Sequence, residues 1–176
     1  CSADATDSFA FHPNPKAKFA VNNASQCFGS QDFVLTNTSQ FLAQDSVQIE
    51  WQFPAGWQQD SSEANKVFGK FSSTGNYKIG LKTVAKNGCI DIFEAVVTVK
   101  ASEGISMFYT RTKNNNNQSS DWEFSAHGND FKNMTWYIDG VAYLNNTKAV
   151  HTFKDTGHFT IRFTYTDRFG CPNDTN

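Results

Sequence analysis

The sequence predicts an all-β fold made of two tandem β-sandwich domains, and the evidence is an internal repeat together with the aromatic content. The stretch Phe71–Cys89 returns 82 positions later as Phe153–Cys171, with six identities in nineteen ungapped positions. A match of this length indicates two copies of one structural unit. Aromatic residues make up 15% of the chain and 17 residues are phenylalanine, which is typical of half-buried strands.

Each copy of the repeat contains one long strand. Apolar side chains occupy every second position of Tyr77–Leu81 and of Phe159–Tyr165, and a period of two indicates a strand with one buried face. Gly75 and Gly157 precede these strands, where glycine permits a turn. Asn87–Gly88 follows the first strand and predicts a tight hairpin to the next strand.

The first domain is expected to span residues 18–101 and to contain about seven short strands. Within Val47–Phe53, every second residue from Val47 onward is expected to face the core. Short strands at this spacing favour a β-sandwich. The clearest predicted strands lie around Phe19–Val21, Phe33–Thr36, Val47–Phe53, Val67–Phe71, Tyr77–Leu81 and Ile92–Val99.

The second domain is expected at residues 102–176, after an N-terminal tether of residues 1–17. Asp121–Ser125 aligns with Asp32–Thr36, so the same strand plan is predicted. Only residues 172–176 follow Cys171, and the last strand of this domain is expected to be missing. Either the natural protein continues past Asn176, or an open sheet edge is left for a partner strand.

Charge and motif content exclude several classes of function. The net charge is −2 with no basic run, so nucleic acid is not an expected partner. No stretch approaches the length of a membrane-spanning helix. No spacing typical of a zinc site, a cofactor or a catalytic nucleophile occurs, and the chain is therefore not expected to be an enzyme.

The cysteines indicate a protein that works outside the cytoplasm. A chain that begins with Cys1 and Ser2 resembles a mature bacterial lipoprotein, so Cys1 is a candidate lipidation site and would anchor the protein to a membrane. The alternative is that the numbering simply starts there. Three further cysteines favour an oxidising compartment.

The first copy of the repeat contains four distinctive motifs: Phe33–Ser39, Glu50–Phe53, Gly75–Leu81 and Asn87–Cys89. Together they resemble the polycystic-kidney-disease (PKD) domain. The second copy carries the related residues Trp136 and Gly157–Phe163. The loop after Trp51 departs from the family, because its acidic residues are absent. The resemblance implies Ig-like sandwiches of the type found in Bacteroidota surface lipoproteins, acting as spacers or binding modules.

The same resemblance implies a disulfide between Cys27 and Cys89, because the elements that they flank are neighbours in such a sandwich. A second bridge, between Cys1 and Cys171, is possible if Cys1 carries no lipid.

One tryptophan is a candidate ligand-binding residue. Trp57 follows Gly56 in a predicted loop and has no counterpart in the second copy. An exposed tryptophan can stack on a sugar ring, although a loop tryptophan can also cap a core. Trp51, Trp122 and Trp136 are in phase with apolar neighbours and are expected in the core.

These observations predict a non-catalytic, lipid-anchored module of the outer membrane or cell surface that takes part in glycan binding or uptake. The alternative is an accessory subunit of an envelope, secretion or adhesion complex that binds protein. A third interpretation is the accessory part of a larger secreted hydrolase.

Overall fold

The computed structural model describes residues 14–42, 46–113 and 120–175, which form fifteen β-strands and no helix. The prediction of an all-β fold is therefore confirmed. Within these residues, no helix is present that could cross a membrane. The chain falls into two compact units, divided between Val99 and Lys100. That each unit is a separate PKD-like domain, with the boundary at residue 101, remains a prediction.

The first unit contains two four-stranded sheets, with strand orders β1-β3-β6-β5 and β2-β8-β7-β4. Its strands are β1 (Phe19–Val21), β2 (Ser25–Cys27), β3 (Phe33–Asn37), β4 (Val47–Gln52), β5 (Trp57–Glu63), β6 (Lys66–Phe71), β7 (Gly75–Ala85) and β8 (Ile90–Lys100). The pairs β3–β6, β4–β7 and β7–β8 are antiparallel.

Both sheets of the first unit contribute to one apolar core, so they pack face to face. Every second residue of the long strands faces inward, as the alternation predicts. Burying one such side chain contributes roughly 1.5–3 kcal/mol. The residues of this core that are at most 2% exposed are Phe33, Leu35, Phe71, Ile79, Leu81, Val97 and Val99.

The second unit repeats this arrangement with sheets of three and four strands, ordered β13-β10-β9 and β12-β11-β14-β15. Its strands are β9 (Ser106–Lys113), β10 (Ser120–His127), β11 (Lys132–Ile138), β12 (Val141–Leu144), β13 (Lys148–Phe153), β14 (Ile161–Thr166) and β15 (Pro172–Thr175). Trp136, Ile138 and Phe163 are fully buried between the two sheets.

The two copies of the repeat pair in the same register. Leu81 of β7 lies opposite Phe93 of β8. Phe163, 82 positions after Leu81, lies opposite Thr175, which is 82 positions after Phe93. The ladder pairing of the first copy is therefore reproduced residue for residue where the second copy has a partner strand.

The turns that follow β7 and β14 are also equivalent, and the predicted Asn87–Gly88 hairpin forms. Ala85 N–H donates to the Cys89 carbonyl at 2.8 Å, and the same bond recurs between Asp167 and Cys171 at 2.9 Å. Gly88 has a φ of 84°, a left-handed conformation that glycine adopts without a steric penalty.

The last strand of the second unit is present but short, which corrects the expectation that it is missing. β15 has four residues where β8 has eleven. It pairs only with Phe163–Thr166 of β14. In the first unit, β8 continues past this level and pairs with Gly75–Ile79. In the second unit, the segment before β14 that corresponds to the start of β7, Gly157–Thr160, is not a strand.

The predicted disulfide between Cys27 and Cys89 is wrong. Cys89 is a free cysteine, whereas Cys27 and Cys171 are both disulfide-bonded. β2 lies beside β8, and Thr98 N–H donates to the Ala24 carbonyl at 2.7 Å. Cys89 precedes β8. Even if β2 runs antiparallel to β8, which is the direction that brings the two cysteines closer, about 20 Å of strand separates Cys27 from Cys89. A disulfide spans at most about 7 Å between Cα atoms.

Candidate functional site: an aromatic groove in the second unit

The groove begins on the inner face of the three-stranded sheet. Ile105, Met107 and Tyr109 alternate along the chain, and the first two pack against the core. Tyr109 lies opposite the core residue Phe124 in the β9–β10 ladder. Its side chain is nevertheless 70% exposed. An inward-facing tyrosine with this exposure indicates that the opposing sheet leaves it uncovered.

In the first unit, two valines of β8 occupy the position that corresponds to the groove. Val97 and Val99 lie opposite Tyr77 and Gly75 in the β7–β8 ladder, and both valines are buried. Because β15 ends at Thr175, no described residue of the second unit supplies the counterparts of these valines. The groove therefore lies where the first unit completes its core.

The groove is a cavity of about 410 Å³. A neighbouring opening of about 420 Å³ shares four of its residues and extends to Met107 and Phe108. The rings of Tyr109 and Trp122 lie 5.8 Å apart between centroids. Residues that line the 410 Å³ cavity are Tyr109, Trp122, Phe124, Phe153, Asp155, Thr156, Gly157, Phe159 and Ile161.

An aromatic pair of the first unit has an aromatic counterpart in the second unit, but the two rings of the counterpart are no longer parallel. Tyr77 stacks on Phe71 with ring centroids 3.8 Å apart and planes 6° apart. The corresponding rings, Phe159 and Phe153, lie 4.2 Å apart but are tilted by 34°. Phe159 thus forms one wall of the groove while remaining packed on Phe153.

The chemistry of the groove suits binding. Aromatic rings provide apolar area, and Asp155 and Thr156 provide polar atoms at one side. Over the residues with described positions, no cluster of histidine, cysteine or acidic side chains could hold a metal ion.

The side chain of Trp57 packs against neighbouring aromatic residues. It begins β5 and does not lie in the predicted loop. Its ring stacks on Phe53 at 4.6 Å with planes 3° apart and meets the edge of Phe71 at 5.1 Å. A Cβ atom at Gly69 would lie 2.5 Å from the same ring. Trp57 is thus enclosed on several sides. That it binds a ligand remains a prediction, and this packing does not support it.

The other predicted site residues divide between core, groove and undescribed regions. Trp136 is fully buried, as expected, whereas Trp122 is half-buried and lines the groove. Cys1, the predicted lipidation site and alternative partner of Cys171, lies outside the described residues. Sequence reasoning missed Tyr109 and Phe159. Their signals were the alternation of Ile105, Met107 and Tyr109 and the alignment of Phe159 with Tyr77 in the repeat.

A buried histidine lies elsewhere in the second unit. His151 Nδ1 is 2.9 Å from the Tyr143 hydroxyl, and its buried Nε2 has no hydrogen-bond partner among the described residues. A carboxylate oxygen of Asp139 lies 3.8 Å from this Nε2. This pair supports the β12–β13 side of the sandwich and does not line the groove.

Asp167 organises the turn between β14 and β15. Its carboxylate accepts N–H bonds from Glu103 at 2.8 Å, Phe169 at 2.9 Å and Cys171 at 2.8 Å. Burial by itself raises the pKa of Asp167, but the bonds donated by these backbone N–H groups, together with one from Asn173, outweigh it and hold the pKa below its ordinary value.

Replacement of Asp167 by asparagine should therefore destabilise the second unit in a pH-dependent way. A carboxylate with a lowered folded-state pKa contributes stability above its unfolded pKa of about 3.9, and this contribution is lost as pH falls through the folded pKa. We expect a loss of about 1–3 kcal/mol at pH 7 that shrinks below about pH 4. Urea unfolding between pH 3 and 7 measures it, and Asp155→Asn, at an exposed position, is the control. A pH-independent difference would contradict the role assigned to the charge.

Comparison with known proteins gives only weak similarities. No protein-family model matches the chain, and no curated protein matches it. Among solved structures it is similar to carbohydrate-binding modules from the β-sandwich superfamily, with 13% identity over 88% of this chain and 85% of that chain and a TM-score of 0.43.

Two further solved structures are similar at the same low level. Fibronectin(III)-like modules of Clostridium thermocellum CbhA show 15% identity over 90% of both chains, with a TM-score of 0.38. The Yersinia pseudotuberculosis adhesin InvE shows 11% identity over 92% of this chain and 59% of that chain, with a TM-score of 0.35. With TM-scores below 0.5, these similarities assign the chain to neither a family nor a function.

Proposed function

We propose that the chain is a non-catalytic binding module of a cell-surface protein and that it engages a protein partner through the groove of the second unit. The observation that carries this proposal is the 70% exposure of Tyr109 on an inward-facing strand position. Tyrosine and tryptophan are enriched at protein interfaces, where they supply large contact areas. Tyr109 and Trp122 offer such an area beside an unfilled cavity.

The proposed location rests on the cysteines. Cys27 and Cys171 are disulfide-bonded, and stable disulfides form mainly outside the cytoplasm. We further propose that Cys1 carries the lipid that anchors the protein to the outer membrane. The intact mass of native protein tests this anchor, because acylation adds the mass of the acyl chains. An unmodified Cys1 in native protein would rule the anchor out.

A glycan is the second candidate ligand, in line with a role in glycan binding or uptake. The observation that favours it is the combination of aromatic faces at Tyr109 and Trp122 with polar atoms of Asp155 and Thr156. Aromatic faces stack on sugar rings, and carboxylate and hydroxyl groups bind sugar hydroxyls.

Site-specific photo-crosslinking in native cells tests the proposed function. A photoreactive phenylalanine analogue at position 109 should crosslink to a protein, whereas the same analogue at position 137 should not. Tyr137 is the matched control because it is 40% exposed and does not line the groove. No protein crosslink at position 109, or the same crosslink at both positions, would contradict a protein partner. Glycan-array binding that is lost in Tyr109→Ala would instead establish the glycan candidate.

A further inference from the structure

We propose that two copies of this chain associate through the start of β8, Ile90–Glu94, which forms an unpaired sheet edge with an apolar outer face. The two β8 strands would pair antiparallel about a two-fold axis at Ile92 and join the two β2-β8-β7-β4 sheets into one. This interface lies in the first unit, involves none of the groove residues and goes beyond the proposed function.

The first step of the argument is the direction of the main-chain groups of β8. Thr98 N–H donates to the Ala24 carbonyl at 2.7 Å, so it points away from β7 and towards β2. The β7–β8 ladder is unbroken, and the main-chain groups of successive residues alternate in direction along a strand. The N–H and C=O groups of Ile90, Ile92 and Glu94 therefore also point away from β7.

The second step is that β2 is too short to cover these groups. β2 has three residues, whereas β8 has eleven. A turn in which Ser30 N–H donates to the Cys27 carbonyl at 3.2 Å follows β2 directly. Even if β2 runs towards Ile90, Cys27 reaches only about the level of Ala95. Among the described residues, no strand pairs with Ile90–Glu94 on this side.

The described chain before β1 follows the other sheet. Lys16 pairs with Gln40, and this pair continues the register in which Phe19 of β1 lies opposite Asn37 of β3. The segment therefore extends the β1–β3 ladder and leaves the main chain of β8 unpaired. A row of unpaired N–H and C=O groups on a regular strand is a template for another strand.

The third step is the outer face of this edge, which is apolar. Ile90 and Ile92 are 55% and 51% exposed, and they are neighbours on the same face of β8. Val84 of β7 lies opposite Ile90 and extends the apolar surface. Edge strands commonly carry free charges that prevent pairing. The charge of Glu94 is instead paired within the sheet, because Lys78 Nζ donates to its carboxylate at 3.0 Å.

The fourth step is the fit of this edge to a second copy of itself. With Ile92 opposite Ile92 of the second copy, Ile90 and Glu94 lie opposite each other twice, so all three residues form hydrogen-bonded pairs. No like charges face each other in this register, whereas a register centred on Asp91 or Glu94 would place two carboxylates directly opposite. Because a two-fold interface requires such self-complementarity, we assign the edge to a second copy.

A charge placed on the two-fold axis tests this interface in the full chain. Ile92 lies opposite Lys82 of its own sheet, so Ile92→Glu should leave the fold intact, but the two introduced carboxylates would face each other across the dimer. Val96→Glu is the matched control. Val96 is 56% exposed, lies opposite Lys78 and is outside Ile90–Glu94.

Sedimentation over a range of protein concentrations, with hydrogen exchange of the same samples, measures the effect. We expect the wild type to dimerise and the amides of Ile90, Ile92 and Glu94 to become protected as the dimer fraction rises. Ile92→Glu should weaken dimerisation at least about tenfold and remove this protection. Val96→Glu should change the dissociation constant less than about twofold.

A monomeric wild type would overturn the proposal. Protection of the three amides in that monomer would mean that another part of the same chain covers the edge, and their free exchange would mean that the edge stays open. A dimer that Ile92→Glu leaves intact, or that Val96→Glu weakens equally, would place the interface elsewhere and would also overturn it. The crosslink at position 109 tests the groove separately, so either proposal can fail alone.

Discussion

Replacing Val97 with aspartate should unfold the first unit. Val97 is fully buried between the two sheets, and a carboxylate there would have no partner. An unpaired buried charge costs at least about 3 kcal/mol, a large share of the roughly 5–15 kcal/mol that stabilises a domain. Urea unfolding, followed by NMR signals from each unit, measures the loss.

The neighbouring substitution Val96→Asp is the matched control for Val97→Asp. Val96 is 56% exposed on the opposite face of β8, so the same charge remains in water. We expect it to cost no more than about 1 kcal/mol, mainly through the lower strand propensity of aspartate. Similar losses for the two variants would contradict the assigned register of β8.

Replacing Trp136 with alanine should destabilise the second unit by about 3–5 kcal/mol, because the change leaves a large cavity. Trp136 has no exposed surface and packs on Phe163 with ring centroids 4.5 Å apart. The same urea titration measures the effect through signals of the second unit.

Tyr109→Ala is the control for Trp136→Ala, since it also removes an aromatic side chain from the second unit. Tyr109 is 70% exposed, and we expect its loss to cost less than about 1 kcal/mol. A loss as large as that of Trp136→Ala would mean that Tyr109 is part of the core, and the groove would then not exist as described.

Local pattern predicted much of the fold. The alternation in Tyr77–Leu81 predicts which side chains are buried, because a strand has a strict period of two. The repeat predicts the second copy of the ladder, since the same residues favour the same pairing. Asn87–Gly88 predicts the hairpin because few dipeptides other than those with asparagine and glycine suit its backbone.

The sequence was less informative wherever the answer depends on contacts distant along the chain. Trp57 looked like a loop residue because Gly56 precedes it, but Phe53 and Phe71 enclose it. Cys27 and Cys89 looked like partners, but their strands place them at different levels of one sheet. Tyr109 attracted no prediction, and its 70% exposure at an inward-facing position depends on which distant segments pack against it.

Residue-resolved hydrogen exchange of the isolated chain tests the central claim, that the first unit is closed by β8 while the second is open at the matching level. The amides of Gly75–Ile79 that point towards β8 should exchange at least roughly 100-fold more slowly than unprotected amides. The matching amides of Gly157–Ile161 should exchange without such protection. Equal protection of the two segments would show that a strand already covers the groove, and it would contradict both the exposed groove and the function proposed for it.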